Sequence, residues 1–244
     1  MLRKERIYFP SASSLLEIKD IDVVHKLNDV LRRKKGQSLL VFDGQGKEYE
    51  ARIKSQQKRK IILEVVRLVR YEPLPKIQID LAFSLLKSQR ADFIIEKATE
   101  IGINSFTPFV SSYSQIRSVS LSKLSRWHNI AQEASRQSGR LWIPKVNHAL
   151  KWQEFLSIFS HYQRCLVFDK RGGGFIKVIK SKPSPRLRNI LVVIGPEGGF
   201  SPSEVKTFQA QGAEIFNIAS FILRAETAAI LASGLVKIWL DDAV

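Results

Sequence analysis

An apolar run over 190–194 breaks into Gly195-Pro196-Glu197-Gly198-Gly199 and then into Ser201-Pro202-Ser203-Glu204. No other passage restricts the fold as much. The run reads as a short strand buried on both faces. The glycines permit positive φ and close approach of backbone to a ligand. The last four residues form a capping box, with Ser201 as cap, Pro202 at the first helical position and Glu204 reaching back. Strand, glycine turn and capped helix in that order belong to an open α/β sheet, where ligands gather beyond the carboxyl ends of strands. The spacing is neither G-x-G-x-x-G nor a Walker loop, and no Lys-Ser/Thr pair follows, which argues against a nucleotide phosphate cradle. A purely structural strand-to-helix turn would use the same residues, so the loop alone leaves both readings open.

The rest of 76–244 alternates in the same way. Strands are expected at 77–83, Ser105–Phe109, 164–168 and 214–218. Helices are expected at Ser88–Ile101 with Gly102 as its stop, at Leu121–Ser138, at 151–159, from Pro202 to Gly212, and at 225–240. Alternation of this kind implies an α/β domain with a largely parallel sheet. Arg171-Gly172-Gly173-Gly174 reads as a flexible turn, or as a further loop on the same pocket.

Residues 1–72 read differently. Ser38–Phe42, 48–53 and 61–69 are short β-rich runs, and Asp43-Gly44-Gln45-Gly46 is a hairpin signal between the first two. One helix is expected over 22–33, ended by Gly36. The expected form is a small basic β-barrel. Pro73 and Pro75 favour extended backbone and mark a linker, giving domains 1–72 and 73–244.

Charge separates the two parts further. The 244-residue chain has a net charge of +16, which favours a polyanionic partner. Residues 1–72 carry 17 Lys/Arg against 10 Asp/Glu, whereas 73–244 carry 22 against 13, so the first part is about twice as basic per residue. One cysteine, Cys165, and four scattered histidines give no disulfide and no metal-ligand spacing. No apolar segment follows the N-terminal charges and no charge-free window reaches the length of a membrane span, so a cytoplasmic protein without a membrane or metal partner is expected.

Several segments qualify for chemistry. Arg224 and Glu226 sit at the mouth of the last expected helix, where Glu226 also suits the helix dipole and Arg224 a simple pair with it. Lys87 and Arg90 lie at another strand-to-helix junction, and Arg140 ends the polar loop Arg136-Gln137-Ser138-Gly139-Arg140. Arg32, Arg33, Lys34 and Lys35 run together where charge is already concentrated, with Lys58-Arg59-Lys60 in the same domain. Such runs are either solvated faces or RNA contacts. His128, Trp142, Trp152 and Trp239 read as packed or surface residues rather than as catalysts or stacking platforms.

Taken in order, these segments resemble the 16S ribosomal RNA uracil-N3 methyltransferases of the SPOUT superfamily, the RsmE family. The resemblance rests on His25 to Arg32, on Phe42-Asp43-Gly44, and on Glu96-Lys97-Ala98-Thr99-Glu100-Ile101-Gly102. It continues through Gln137-Ser138-Gly139-Arg140 with Pro144 beyond, Ile194 to Gly199, and Leu223-Arg224-Ala225-Glu226-Thr227-Ala228. Arg136 departs from it where an acidic residue is expected, and Glu96 where Gln is expected. The resemblance implies a SPOUT-type, trefoil-knotted, largely parallel sheet with a small N-terminal PUA-like β-barrel.

It also implies the cofactor S-adenosyl-L-methionine, a homodimer, and 16S rRNA of the small ribosomal subunit as partner. Cofactor contacts would come from Phe168, Ile194, Gly195, Pro196, Glu197, Gly198, Gly199, Ile218, Leu223, Thr227 and Ala228. Catalysis would involve Arg224, stabilising charge on the uracil, with Glu226 or water as base. RNA would be met by Arg32, Arg33, Lys34, Lys35, Lys87, Arg90 and Arg140. Two rivals stay open, a ribose 2′-O-methyltransferase of the same superfamily and a non-catalytic RNA-binding ribosome-assembly factor. A membrane-surface protein has only the net charge behind it.

Overall fold

A computed structural model describes residues 5–10 and 13–241, with backbone alone at Ser88. Contacts divide the chain into two units, one up to Leu74 together with Ser135–Ile143, the other from Pro75–Ala134 and from Pro144 onward.

The first unit contains β1 (Arg6–Tyr8), β2 (Leu15–Ile18), α1 (Ile21–His25), β3 (Ser38–Phe42), β4 (Lys47–Gln57) and β5 (Lys60–Tyr71). The sheet order is β1-β3-β4-β5-β2, antiparallel except where β1 meets β3. Alternation aims Ile61 and Leu63 of β5, Leu39 and Val41 of β3 and Leu16 and Ile18 of β2 into one apolar core, closed by Val24 and Leu27. The β3–β4 turn is held by Asp43, whose Oδ1 accepts from the backbone of Gln45 at 2.7 Å and Lys47 at 3.0 Å. Gly46 closes it at φ +98°, and a Cβ there would lie 2.4 Å from the Glu72 carbonyl oxygen.

The helix expected over 22–33 is shorter. Asp20 caps α1 through bonds from the backbone of Asp22 and Val23, and after His25 the chain makes a single π turn over Lys26–Val30. Arg32, not a glycine, then takes the left-handed conformation at φ +48°. That ends helical geometry before Arg33 and places the cations 32–35 in a loop.

Residues 135–143 are fastened to this unit by Arg6. Its guanidinium pairs with Glu48, lies 3.9 Å from the Phe42 ring centroid, and donates to the carbonyls of Ser135 at 2.8 Å and Arg140 at 2.5 Å. These acceptors let a cation stay buried, although desolvation still lowers its pKa. Trp142 Nε1 donates to the Glu72 carbonyl at 2.9 Å.

The second unit holds β6 (Gln78–Ser84), α2 (Ser88–Ile101), β7 (Ser105–Phe109), α3 (Leu121–Ser138, whose last residues count with the first unit), β8 (Lys145–Val146) and α4 (Trp152–Ser157). It continues with β9 (Arg164–Gly174), α5 (Ile176–Ile179), β10 (Asn189–Ile194), α6 (Pro202–Ala210), β11 (Glu214–Asn217) and α7 (Ala225–Asp241). All six strands are parallel, in the order β11-β9-β10-β6-β7-β8. Ile190 through Ile194 are buried without a break, as a strand covered on both faces requires. α4 and α6 cover Leu191 and Val193 with a cluster of rings in which Phe109 stacks on Phe155 at 3.7 Å. α7 packs on β6, β10 and α2.

Residues 171–174, expected as a flexible turn, instead extend β9 to Gly174. β11 pairs Ile215 with Val167 and then, after a register shift, Phe216 with Gly173. A Cβ at Gly172 would lie 2.5 Å from the Phe216 amide nitrogen, so a residue without a side chain lets the bulge close against β11. The expected capping box at α6 forms, with Ser201 N donating to Glu204 Oε2 at 2.7 Å.

Candidate functional site

Three adjacent strands lead to one place in the second unit. β10 stops at Ile194, opposite Phe168 of β9, and the chain turns through 195–200 into α6. β9 bulges over 168–172, which have no partner on β11. β11 leads through 218–224 into α7. These stretches enclose a cavity of about 350 Å³, lined by 168–171, 194–200, 216–219, 221–223, Ala225 and Ala228. That volume is within the range of small-molecule sites.

Two arginines join its walls. Arg171 donates from Nε to Asp169 Oδ1 at 2.6 Å and from Nη2 to Oδ2 at 2.8 Å, and the same Nη2 reaches the Phe200 carbonyl at 2.7 Å. Burial by itself would raise the Asp169 carboxyl, but bonds from the Arg171 side chain and backbone, and from the Phe200 backbone, outweigh it and hold the group below its ordinary value. Arg90, in the first turn of α2, donates to Glu197 Oε1 at 2.5 Å and lies 3.9 Å from Glu226 Oε1. The other oxygen of Glu226 is buried without a hydrogen-bond partner.

Of the residues proposed for a cofactor, Phe168, 194–199, Ile218, Leu223 and Ala228 line the cavity, whereas Thr227 is an exposed residue of the first turn of α7 outside the lining. Arg224 is exposed just before α7. Its carbonyl accepts from Ala228 N at 2.9 Å, and its side chain has no ion pair among the described residues, so it does not pair with Glu226 as one reading allowed. Sequence reasoning did not single out Phe216 or Asn217, which also line the cavity, whereas Asp169, Phe221 and Ile222 fall in the loops after Phe168 and over 218–228 that the resemblance implies for the cofactor. Arg171 had one signal, the glycines that follow it.

The proposed RNA contacts fall in several settings. Lys87 is exposed at the start of α2, and Arg90 is engaged with carboxylates. In the first unit Arg32, Lys34 and Lys35 are exposed, while Arg33 is half-buried with Nε unpartnered. Desolvation pulls Arg140 down to about 10, against the opposing charge of Glu72. No group of His, Cys, Asp and Glu among the described residues could hold a metal ion, and no helix among them is long and apolar enough to cross a membrane.

A glycine-walled cavity at the carboxyl ends of parallel strands, in a chain with a separate basic β unit, defines the class. Residues 72–237 match the family described as RNA methyltransferase domain, and 28–66 match the RNA methyltransferase PUA domain. The chain belongs to the ribosomal RNA small subunit methyltransferase E family. It is 34% identical over 169 residues to the member from Mesomycoplasma hyopneumoniae, covering 68% of this chain and 72% of that one. It is 29% identical over 223 residues to the Bacillus subtilis member, covering 88% and 86%. Its fold matches the Neisseria gonorrhoeae enzyme crystallised with S-adenosyl methionine at a TM-score of 0.85 and 26% identity, over 97% of this chain and 98% of that one.

Proposed function

We propose that this protein transfers a methyl group from S-adenosylmethionine to N3 of a uridine in 16S rRNA of the small ribosomal subunit. The observation that carries this reading is the cavity built by three loops at neighbouring strand ends, in a chain of this family. In the reading, residues 73–244 perform the transfer and 1–72 hold RNA, in a cytoplasmic homodimer. A trefoil knot in the sheet belongs with it, and the placement of β9 between β10 and β11 is compatible with one.

The residues present suit the cofactor. It has no phosphate, and the glycine-rich turn carries no phosphate cradle. Apolar side chains of Phe168, Ile194, Ile218 and Leu223 offer contact for its adenine ring, and the backbone of 195–199 offers groups that can bond the ring edge. Phe168, the backbone of 194–199, Ile218, Leu223 and Ala228 would hold it. When bound, it supplies a methyl group activated on a sulfonium.

The chain must then orient a uracil and make N3 nucleophilic. Arg224, exposed and without an ion-pair partner among the described residues, stabilises the negative charge that grows on the ring as the N3 proton leaves. Glu226 is poorly placed to reach that proton, because Oε2 is buried and Oε1 lies near Arg90. Water takes it. The target base leaves its stack to reach the cavity, as bases do in other base-modifying enzymes.

The test is incubation with isotopically labelled S-adenosylmethionine and small subunits that lack the modification, followed by nucleoside mass analysis. Label in N3-methyluridine is expected. Label on a ribose 2′-oxygen, or none, overturns the assignment.

A further inference from the structure

We infer that Arg90 is a positioning residue for the cofactor pocket rather than an RNA contact, an inference that rests on the cofactor reading above. Three elements meet at its guanidinium. The residue belongs to the first turn of α2, Glu197 to the turn after β10, and Glu226 to the first turn of α7. Glu197 sits in the wall formed by 194–200, and Glu226 lies between Ala225 and Ala228 of the facing wall. One cation therefore holds two walls that are far apart in sequence. Arg171 does the same between the β9 bulge and the turn, through Asp169 and the Phe200 carbonyl. Together the two arginines connect all three loops.

The charges favour this role over phosphate binding. Arg90 has a carboxylate at 2.5 Å and a second at 3.9 Å, so its charge is already compensated. A phosphate would have to compete with Glu197 and would face the negative charge of both carboxylates. Glu226, with Oε2 buried and unpartnered, has Arg90 as its only ion-pair partner among the described residues. Removing the guanidinium would leave that carboxylate uncompensated and free the Glu197 turn. A flexible wall must be ordered again on binding, and that cost falls on affinity for the cofactor.

The experiment compares the wild type with Arg90→Met, Arg90→Lys, Glu197→Gln and the Arg90→Met/Glu197→Gln double variant. Calorimetry measures S-adenosylmethionine binding, steady-state kinetics separates KM from kcat, and RNA affinity is titrated against salt. Arg90→Met should weaken cofactor binding by tenfold or more and raise the cofactor KM. At saturating cofactor kcat should stay within a few-fold of wild type, and the salt slope of RNA binding should be unchanged. Arg90→Lys should recover much of the loss, and the double variant should be no worse than Arg90→Met alone, since the pair acts as a unit. If Arg90→Met fails to fold, Glu197→Gln breaks the same tie from the other wall and should show the same KM effect. Unchanged cofactor affinity in Arg90→Met and Glu197→Gln, or a salt slope that falls by one contact in Arg90→Met, overturns the inference. A wild-type protein that binds no S-adenosylmethionine overturns the cofactor reading, and this inference with it.

Discussion

Asp169 and Arg171 stand two residues apart on the bulge of β9, and their side chains meet in a two-pronged pair at 2.6 and 2.8 Å. The pair is local, but it has a distant effect, since the same guanidinium seizes the Phe200 carbonyl at 2.7 Å. The bulge and the glycine turn therefore move together.

This pair sets an acid limit on the pocket. Asp169 titrates below its ordinary value in the folded protein, so its ionised form stabilises the fold above the unfolded carboxyl's pKa of about 3.9. That contribution disappears as pH falls through the lowered folded value. Asp169→Asn should therefore melt at a lower temperature than the wild type at pH 7, and the difference should shrink below about pH 4. Thermal melts across pH 2.5–7 provide the check, and a difference independent of pH would exclude the ion pair as its source.

Arg224→Ala should keep cofactor affinity, because the side chain is exposed and outside the cavity lining. Its single-turnover methylation rate should fall by about a hundredfold. Rapid-quench measurement at saturating cofactor reads this directly. Full-speed turnover would remove the residue from the reaction.

In the first unit, Arg32, Lys34 and Lys35 are exposed on the loop after the π turn, whereas Arg33 is half-buried. Replacing the three exposed cations with Gln should weaken RNA binding and flatten log K against log salt by about 2 for single-stranded contacts. Arg33→Gln should change that slope least. Filter binding at several salt concentrations separates these outcomes.

Arg6→Met should destabilise the first unit by about 3 kcal/mol, because it leaves the buried Glu48 with only the distant Arg70 among the described residues and removes a donor from the carbonyls of Ser135, Arg136 and Arg140. Urea unfolding would show a lower midpoint. An unchanged midpoint would mean that water replaces the guanidinium without cost.

The sequence was most legible where local rules and burial agree. The run 190–194, the turn after it and the capping box on α6 are readable because each is decided within a few residues. Legibility failed where a distant partner decides the conformation. Nothing near Arg32 announces a positive φ, since the apolar spacing runs up to Leu31 and the nearest glycine is Gly36. The glycines at 172–174 read as breakers, yet Gly172 allows close approach of the Phe216 backbone and so keeps β9 extended. Arg90 carried no mark in the sequence that its partners are Glu197 and Glu226, which lie more than 100 residues away along the chain.

Residues 135–143 impose an order on biosynthesis. Translation places Arg6 outside the ribosome long before Ser135 and Arg140, so the nascent β unit waits with a cation that lacks its final acceptors. A fragment ending at residue 72 would keep that vacancy permanently, and expression of the isolated N-terminal piece should yield a less stable protein than the same unit in the intact chain.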